Sequence, residues 1–462
     1  MRRLSQSIVA AAALLAGCGA LTPTYQRPAA PVAATFSGDT ASGQRDASEI
    51  DWADYFVDAR LKRLIETALA NNRDLRLAVL AIEQARAQFQ IRRADQLPTL
   101  AAGATATRQP NGNSISSAYT VGLSVTGYEL DLFGRVKSLG DAALASYLGT
   151  AEARKAVQIS LVASVATAHL ALLSDDEQLA VTRQTIATRE DSLRLTKLKF
   201  DNGAASELDY QQALSLLEGA KVALAQLQRQ RAQDENALVL LLGTPPPDEL
   251  PAARPLASQQ LIADLPAGVP SEVLARRPDV RQAEQSLIAA NANIGAARAA
   301  FFPKIALTGS AGIASNDLGK LFRGGSFAWS FAPTISLPIF DAGRNQANLE
   351  VATVGRDIAV AQYEKAVQTA FREVADALAG RATLVEQLRA QQAQANALQQ
   401  TYKLADLRYR NGAASYLDVL DAQRSLFAAQ QAAVQVQAAQ AQNLVTLYKV
   451  LGGGWKEPGA GQ

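Results

Sequence analysis

The chain has 462 residues, a formal net charge of +2, 19% charged residues, 6% aromatic residues and a single histidine. Removal of a leader that contains Arg2 and Arg3 brings the charge to zero, so the chain lacks the basic surplus of a nucleic-acid-binding protein. With His169 alone, neither a histidine-based catalytic triad nor a histidine-rich metal cluster can form. We therefore expect a protein that is not an enzyme and binds no metal.

The N-terminus has the features of an export signal. Two arginines precede an apolar segment over residues 8–16, and Leu15-Ala16-Gly17-Cys18 follows, which resembles the bacterial lipobox. This predicts a signal peptide over residues 1–17 and a covalent lipid on Cys18, with no other cofactor. Gly19 after the cysteine indicates sorting to the outer membrane. The alternative is an ordinary cleaved signal with an incidental cysteine.

The rest of the chain contains one unit twice. Residues 202–209 return 209 residues later as residues 411–418. The same offset relates Gly134-Arg135 to Gly343-Arg344 and Leu242-Gly243 to Leu451-Gly452, and an offset of 205 relates Asp74 to Asp279 and Pro98 to Pro303. Such self-similarity indicates a duplicated supersecondary unit. We predict an extended segment 18–58, repeats 59–243 and 271–452, a proline-rich linker 244–270 and a flexible tail 453–462.

Each repeat is predicted to contain a helix, a β-hairpin, a very long helix, a turn and another long helix. The first helices are expected over Ala59–Gln96 and Ser271–Ala300, each ended by a proline. Neither Arg135–Phe200 nor Arg344–Arg410 contains proline, so each predicts a helix on the order of 100 Å long. Helices of this length must pack side by side, as in a coiled-coil-like tube.

Four strands are predicted between the helices, at about residues 97–108, 119–131, 303–314 and 326–338. Phe327, Trp329 and Phe331 alternate with Ala328 and Ser330. A lipid-like face opposite small or polar residues is typical of membrane strands, although a soluble two-layer hairpin is the alternative. Four strands cannot close a barrel, so several copies must combine their hairpins.

Several motifs together carry a family resemblance. They are the Leu-Ala-Gly-Cys motif, Tyr25-Gln26-Arg27-Pro28, Leu265-Pro266, Arg277-Pro278-Asp279-Val280-Arg281 and the segment 409–423. The chain resembles the TolC-like outer-membrane factors, in particular their NodT-type lipoprotein branch. The resemblance implies a mainly α fold with a membrane β-barrel. It also implies a homotrimer in which a 12-stranded outer-membrane barrel joins a periplasmic α-helical barrel.

The resemblance also implies a function and a location. The protein would be the exit duct of a tripartite efflux pump in the outer membrane of a Gram-negative bacterium, lipid-anchored and extending into the periplasm. Its partners would be a periplasmic adaptor and an inner-membrane pump of the proton-driven RND type, and its cargo drugs or other toxic compounds. One alternative is a duct for type I protein secretion. Another is a structural coiled-coil lipoprotein tether, which would need no lipid-facing strands.

By the same resemblance, the functional residues lie at the two turns between long helices. The adaptor-docking turns contain Asn202, Gly203, Ser206, Asn411, Gly412 and Ser415, and the closed aperture contains Leu417, Asp418, Asp421, Tyr409 and Asp209. Asp418 could instead only cap its helix, and for Asp209, at the same position of the first repeat, capping explains the residue as well as gating does. Some relatives hold the aperture closed with an arginine at the position of Ala414. Since this chain lacks that arginine, Tyr409 with Asp209 is the substitute that we expect.

Overall fold

The computed structural model describes residues 21–33, 35–36, 50–112, 114–259, 261, 265 and 274–455. The predicted signal peptide with Cys18, most of the linker's C-terminal half and the end of the tail lie outside these residues. The described helices are α1 (Trp52–Tyr55), α2 (Ala59–Asn71), α3 (Arg73–Ala94), α4 (Arg135–Asp201), α5 (Glu207–Leu242), α6 (Pro278–Ala299), α7 (Arg344–Arg410) and α8 (Tyr416–Val450). The strands are β1 (Leu100–Asn111), β2 (Ser114–Leu130), β3 (Lys304–Ser315) and β4 (Phe327–Ser336).

The chain divides into two compact units. A sheet unit comprises residues 1–29, 80–152 and 281–366, and a helical unit comprises residues 30–79, 153–280 and 367–462. In the sheet unit the four strands form one antiparallel sheet in the order β1-β2-β3-β4. The two hairpins, one from each repeat, are therefore joined through β2 and β3.

The observed strand limits differ from the predicted ones mainly in the first hairpin. β2 begins five residues before the expected residue 119, because the ladder continues until Asn111 pairs with Ser114 across a two-residue turn. Gly112, in that turn, has a positive φ of 61°, a backbone conformation that glycine adopts readily. β2 also contains a bulge between Val125 and Tyr128, where Gly127 has a φ of 68°.

The N-terminal segment 21–29 lies along α6 in the sheet unit. Asn291 donates to the carbonyl of Pro23 at 2.7 Å, and Arg27 binds Glu284 through two hydrogen bonds of 2.7 and 2.8 Å. The approach is so close that a Cβ on Gly295 would clash with the hydroxyl oxygen of Thr22, at 2.1 Å. Sequence-specific contacts thus hold the segment that follows the predicted lipidation site.

The prediction of one continuous helix from Ala59 to Gln96 was wrong. The helix breaks at Asn72, whose backbone is extended and whose side chain accepts from the Leu75 N–H at 2.9 Å and donates to the carbonyl of Leu241 at 2.9 Å. One asparagine therefore starts α3 and satisfies a free carbonyl at the end of α5.

The second repeat has the same break with different chemistry. Arg277 occupies the position equivalent to Asn72 and donates to the carbonyl of Val450, the equivalent of Leu241, at 3.0 Å. α6 consequently begins at Pro278 rather than at the predicted Ser271, which lies outside the described residues. Proline at the first helical position is favourable, because its missing N–H would have no partner there.

The core of the helical unit is built around stacked tyrosines. The rings of Tyr55 and Tyr448 are 3.9 Å apart and nearly parallel, and their hydroxyls donate to the carbonyls of Leu444 and Ile50. His169 on α4 is also buried, at 2% exposure, and its Nε2 atom lies 3.7 Å from Asp58 Oδ2. α4 contains a stretch long and apolar enough to span a membrane by length and composition, but half of that stretch is buried.

Asp175 on α4 should make stability depend on pH. It is 5% exposed, and burial together with its interaction with Asp234 raises its pKa from 3.8 to about 7. Between these values the folded protein keeps a proton that the unfolded chain releases, so stability should fall as pH rises from about 4 to about 7. We expect Asp175→Asn to remove this dependence and to raise the unfolding midpoint above pH 7, as measured by circular dichroism.

Asp176→Asn is the matched control. Asp176 is 52% exposed and pairs with Arg231 at 2.6 Å, so its loss should change stability little. Most of the pH dependence should stay in place, because Asp176 raises the pKa of Asp175 less than burial and Asp234 do. If the two variants have the same pH profile, Asp175 is not the titrating group.

Candidate functional site

The sheet has one apolar face. The strand register places Trp329 opposite Ala311, Leu123 and Ala102, and it places Phe331 opposite Gly309, Val125 and Leu100. The side chains of Trp329 and Phe331 are 71% and 62% exposed in the single chain. A continuous apolar surface of this kind on an alternating sheet is typical of contact with lipid.

The opposite face is polar and closely packed. Thr105 bonds Thr120 across the first hairpin, and Ser310 bonds Ser330 at 2.8 Å across the second. Where the hairpins meet, Gly122 faces Gly312, and a Cβ on Gly312 would lie 2.2 Å from the carbonyl oxygen of Val121. The alternation predicted from sequence is therefore present as two chemically distinct faces.

β1 and β4 form the open edges of the sheet. Each contains a proline, Pro110 and Pro333, which has no N–H to donate to a neighbouring strand. The remaining edge groups have no sheet partner among the described residues, and in lipid each such group would cost several kcal/mol. The single sheet is therefore incomplete as a membrane structure.

The two turns between long helices have the same backbone geometry, within the helical unit. Gly203 and Gly412 each have a φ of 72°. The glycine N–H groups bond the carbonyls of Phe200 and Tyr409 at 2.9 and 3.0 Å, and the next N–H groups bond Lys199 and Arg408 at 2.7 and 2.8 Å. This is the Schellman helix ending, for which glycine is required because of its positive φ. The side chains of Asn202 and Asn411 also bond Leu198 and Leu407, so the predicted turn residues fix the chain reversal.

The following helices begin differently in the two repeats. Ser206 and Asp209 form a reciprocal capping box, with side-chain to backbone bonds of 3.1 Å in both directions. Ser415 makes no side-chain cap, although Asp418 occupies the position equivalent to Asp209. Asp209 is therefore engaged in capping, and Asp418 is not engaged in this way.

Three of the five predicted aperture residues, Leu417, Asp418 and Asp421, form an exposed stripe at the start of α8. Leu417 is 54% exposed, and Asp418 and Asp421 are also exposed. The opposite side of the same turn packs Val419 and Leu420 into a cluster with Ala213 and Tyr416. The packing of this cluster therefore fixes the direction in which the stripe faces.

Within one chain, no hydrogen bond joins Tyr409 to Asp209 among the described residues. The Tyr409 ring instead contacts Tyr416 at 5.1 Å between centroids and Lys199, whose Nζ lies 3.8 Å from the ring centre. Asp421 is 3.7 Å from Arg424, a partner that sequence reasoning missed. Asp421 and Arg424 are three residues apart on one helix, and this spacing was the available signal for their ion pair.

Comparisons with known proteins give a consistent result. The family model described as "Outer membrane efflux protein" matches residues 64–244 and again residues 269–453. An antibiotic efflux pump outer membrane protein, ArpC, and a toluene efflux pump outer membrane protein, TtgC, both from Pseudomonas putida, are each 48% identical over 464 residues, 98% of this chain and 96% of theirs. The open state of the MtrE outer membrane channel of Neisseria gonorrhoeae superposes with a TM-score of 0.87 at 44% identity, covering 94% of this chain and 98% of that one.

The part of the chain that the structure describes contains no acidic, histidine or cysteine cluster able to hold a metal.

Proposed function

The chain belongs to the outer membrane efflux protein family and is an efflux channel of the Gram-negative outer membrane, and we propose that it is the exit duct of a tripartite pump. The TolC-like resemblance inferred from the motifs is confirmed. In this proposal the duct conducts its cargo passively, because the energy-coupling step belongs to the inner-membrane partner.

The observation that carries this proposal is the incomplete sheet. It has an apolar face for lipid, a polar face for water and two open edges. Three copies would supply twelve strands, which is enough to close a water-filled barrel, whereas the smallest membrane barrels need about eight. The strand count alone is satisfied by two or more copies, and following the family resemblance we propose a homotrimer in which β1 of one copy pairs with β4 of the next.

The proposed role as the exit duct of a pump also suggests the partners and the cargo. We propose that the turns at residues 202–206 and 411–415 dock a periplasmic adaptor, which connects the duct to a proton-driven RND pump. Relatives named for antibiotic and toluene efflux favour small toxic compounds over the protein cargo of type I secretion. The apolar sheet face argues against a purely structural tether. We also propose a lipid on Cys18, which intact-mass measurement of the mature chain tests directly.

The aperture provides the functional test. In a trimer, Asp418 and Asp421 would each form a ring of three carboxylates, with Leu417 as an apolar constriction beside it. We expect Asp418→Asn with Asp421→Asn to reduce cation selectivity and block by multivalent cations, because both depend on a concentrated negative field. Leu417→Ala should increase single-channel conductance. Both effects are measured by recording from the purified protein in planar bilayers.

The comparison variant is Asp209→Asn, at a residue that the resemblance also assigns to the aperture but whose carboxylate caps a helix in the other repeat. It should lower thermal stability by about 1 kcal/mol and leave selectivity unchanged. If the paired asparagine variant keeps full cation selectivity and Leu417→Ala keeps the original conductance, the aperture lies elsewhere.

A further inference from the structure

A cavity of about 230 Å³ lies between α4, α7 and α8 in the helical unit. Its lining contains Arg189, several glutamine amides and the hydroxyl-bearing Tyr402, with Phe427 on an apolar side. No carboxylate is present in this lining. The volume is below the roughly 300–1,000 Å³ of pockets that hold drug-sized ligands, so the cavity suits a small molecule or ion.

Arg189 is buried in this lining, and no described residue provides it with a counter-ion. It is 4% exposed, its Nη1 donates to the carbonyl of Leu216 at 2.7 Å, and its guanidinium lies 5.0 Å from the ring centre of Phe427. Its Nε atom is buried with no hydrogen-bond partner. Burial lowers the pKa of Arg189, and the nearby positive charge of Arg424 lowers this pKa further. A buried charge in this position is unfavourable unless an anion accompanies it.

A second buried polar group in the same cavity also lacks a partner. Gln423 is 5% exposed, and its Nε2 donates to Ser192 Oγ at 2.9 Å, while its Oε1 has no partner. Because the Ser192 hydroxyl can either accept or donate, the amide can present its oxygen or its nitrogen to a ligand. The cavity therefore offers a charged donor and an adaptable amide.

The duplication provides an internal comparison. Applying the 209-residue offset, Arg189, Gln423 and Tyr402 correspond to Leu398, Leu214 and Leu193. In the other repeat, leucines fill the equivalent helix positions, so the polar set is not needed to pack these helices. The presence of these polar residues in only one of the two repeats therefore needs an explanation other than helix packing.

We propose that this cavity binds a small carboxylate, whose oxygens accept hydrogen bonds from Arg189 and Gln423 and whose charge neutralises the guanidinium. The planar guanidinium matches a carboxylate in shape and hydrogen-bonding geometry, and Phe427 and Leu426 provide apolar contact for a short carbon chain. Since Arg189 also holds the Leu216 carbonyl of α5, the bound anion would tie α4, α5 and α8 together close to the turns. The site does not depend on the proposed duct function.

The test is a thermal unfolding titration of the full-length protein in detergent. Sodium acetate is the probe, and sodium chloride at equal ionic strength is the reference. Acetate should raise the unfolding midpoint along a saturable curve, because a ligand stabilises the state that binds it. Arg189→Leu, which introduces the residue of the other repeat, should abolish this rise, and Arg424→Leu, an exposed neighbouring cation, should retain it.

Each alternative outcome overturns part of the proposal. An equal rise with chloride would contradict the carboxylate assignment, and a rise that persists in Arg189→Leu would contradict the site. If Arg189→Leu does not fold, Gln423→Leu serves as the second variant and should weaken the apparent affinity for acetate about tenfold, the loss expected for one charge-supported hydrogen bond. An unchanged acetate affinity in that variant would also contradict the site.

Discussion

Replacing Phe331 with arginine is expected to destabilise the membrane-embedded sheet by about 2–4 kcal/mol per chain, because the charge would face the hydrocarbon near the middle of the bilayer. Phe331 lies on the apolar face of β4, opposite Gly309, and is 62% exposed in the single chain. Three copies would place three such charges in one barrel. The expected result is loss of folded oligomer from the outer membrane fraction, measured by heat-sensitive migration in gel electrophoresis.

Ser330→Arg is the matched control, one residue away on the same strand. The Ser330 side chain lies on the polar face, where its hydroxyl bonds Ser310. An arginine there would face water and lose only that one bond, so folded oligomer should persist. If the two variants assemble equally well, the apolar face does not contact lipid.

Replacing Arg277 with methionine is expected to destabilise the helical unit by about 3 kcal/mol, at the low end of the cost of breaking a buried ion pair. The guanidinium binds Asp279 at 2.7 Å, Glu373 at 2.7 Å and the Val450 carbonyl at 3.0 Å. The side chain is 9% exposed, but its acidic partners are 45% and 36% exposed, so water screens part of the loss. The measurement is the thermal unfolding midpoint by circular dichroism.

Arg372→Met is the control for this experiment. Arg372 pairs with Asp376 at 3.9 Å, and both side chains are more than 70% exposed. Such surface pairs contribute about 0–1 kcal/mol, so the midpoint should move little. Equal midpoints for the two variants would show that the bonds of Arg277 to α6, α7 and α8 do not stabilise the helical unit.

Strand β4, the two long helices and the helix endings could be predicted because their signals are local. Period-two alternation identified the faces of β4, and Asn-Gly identified both helix endings, since a helix terminating in this way needs a residue with positive φ. The absence of proline over Arg135–Phe200 and Arg344–Arg410 predicted the two long helices correctly.

The parts that sequence reasoning missed depend on distant contacts. The break at Asn72 exists because its side chain bonds a carbonyl 169 residues away, although asparagine as a helix N-cap was an available hint. The early start of β2 depends on backbone pairing, which polar side chains do not reveal. Arg189 resembled an ordinary surface cation of a long helix, and only the packing of α8 identifies it as buried.

The most direct test of the central claim, that several copies complete one channel, is native mass spectrometry of the full-length protein released from detergent. The chain has a mass of 48.9 kDa before processing. We expect a complex of three chains, each beginning at Cys18 and carrying the added mass of its lipid. A monomer, or a complex with any other number of chains, would contradict the twelve-stranded barrel on which this account rests.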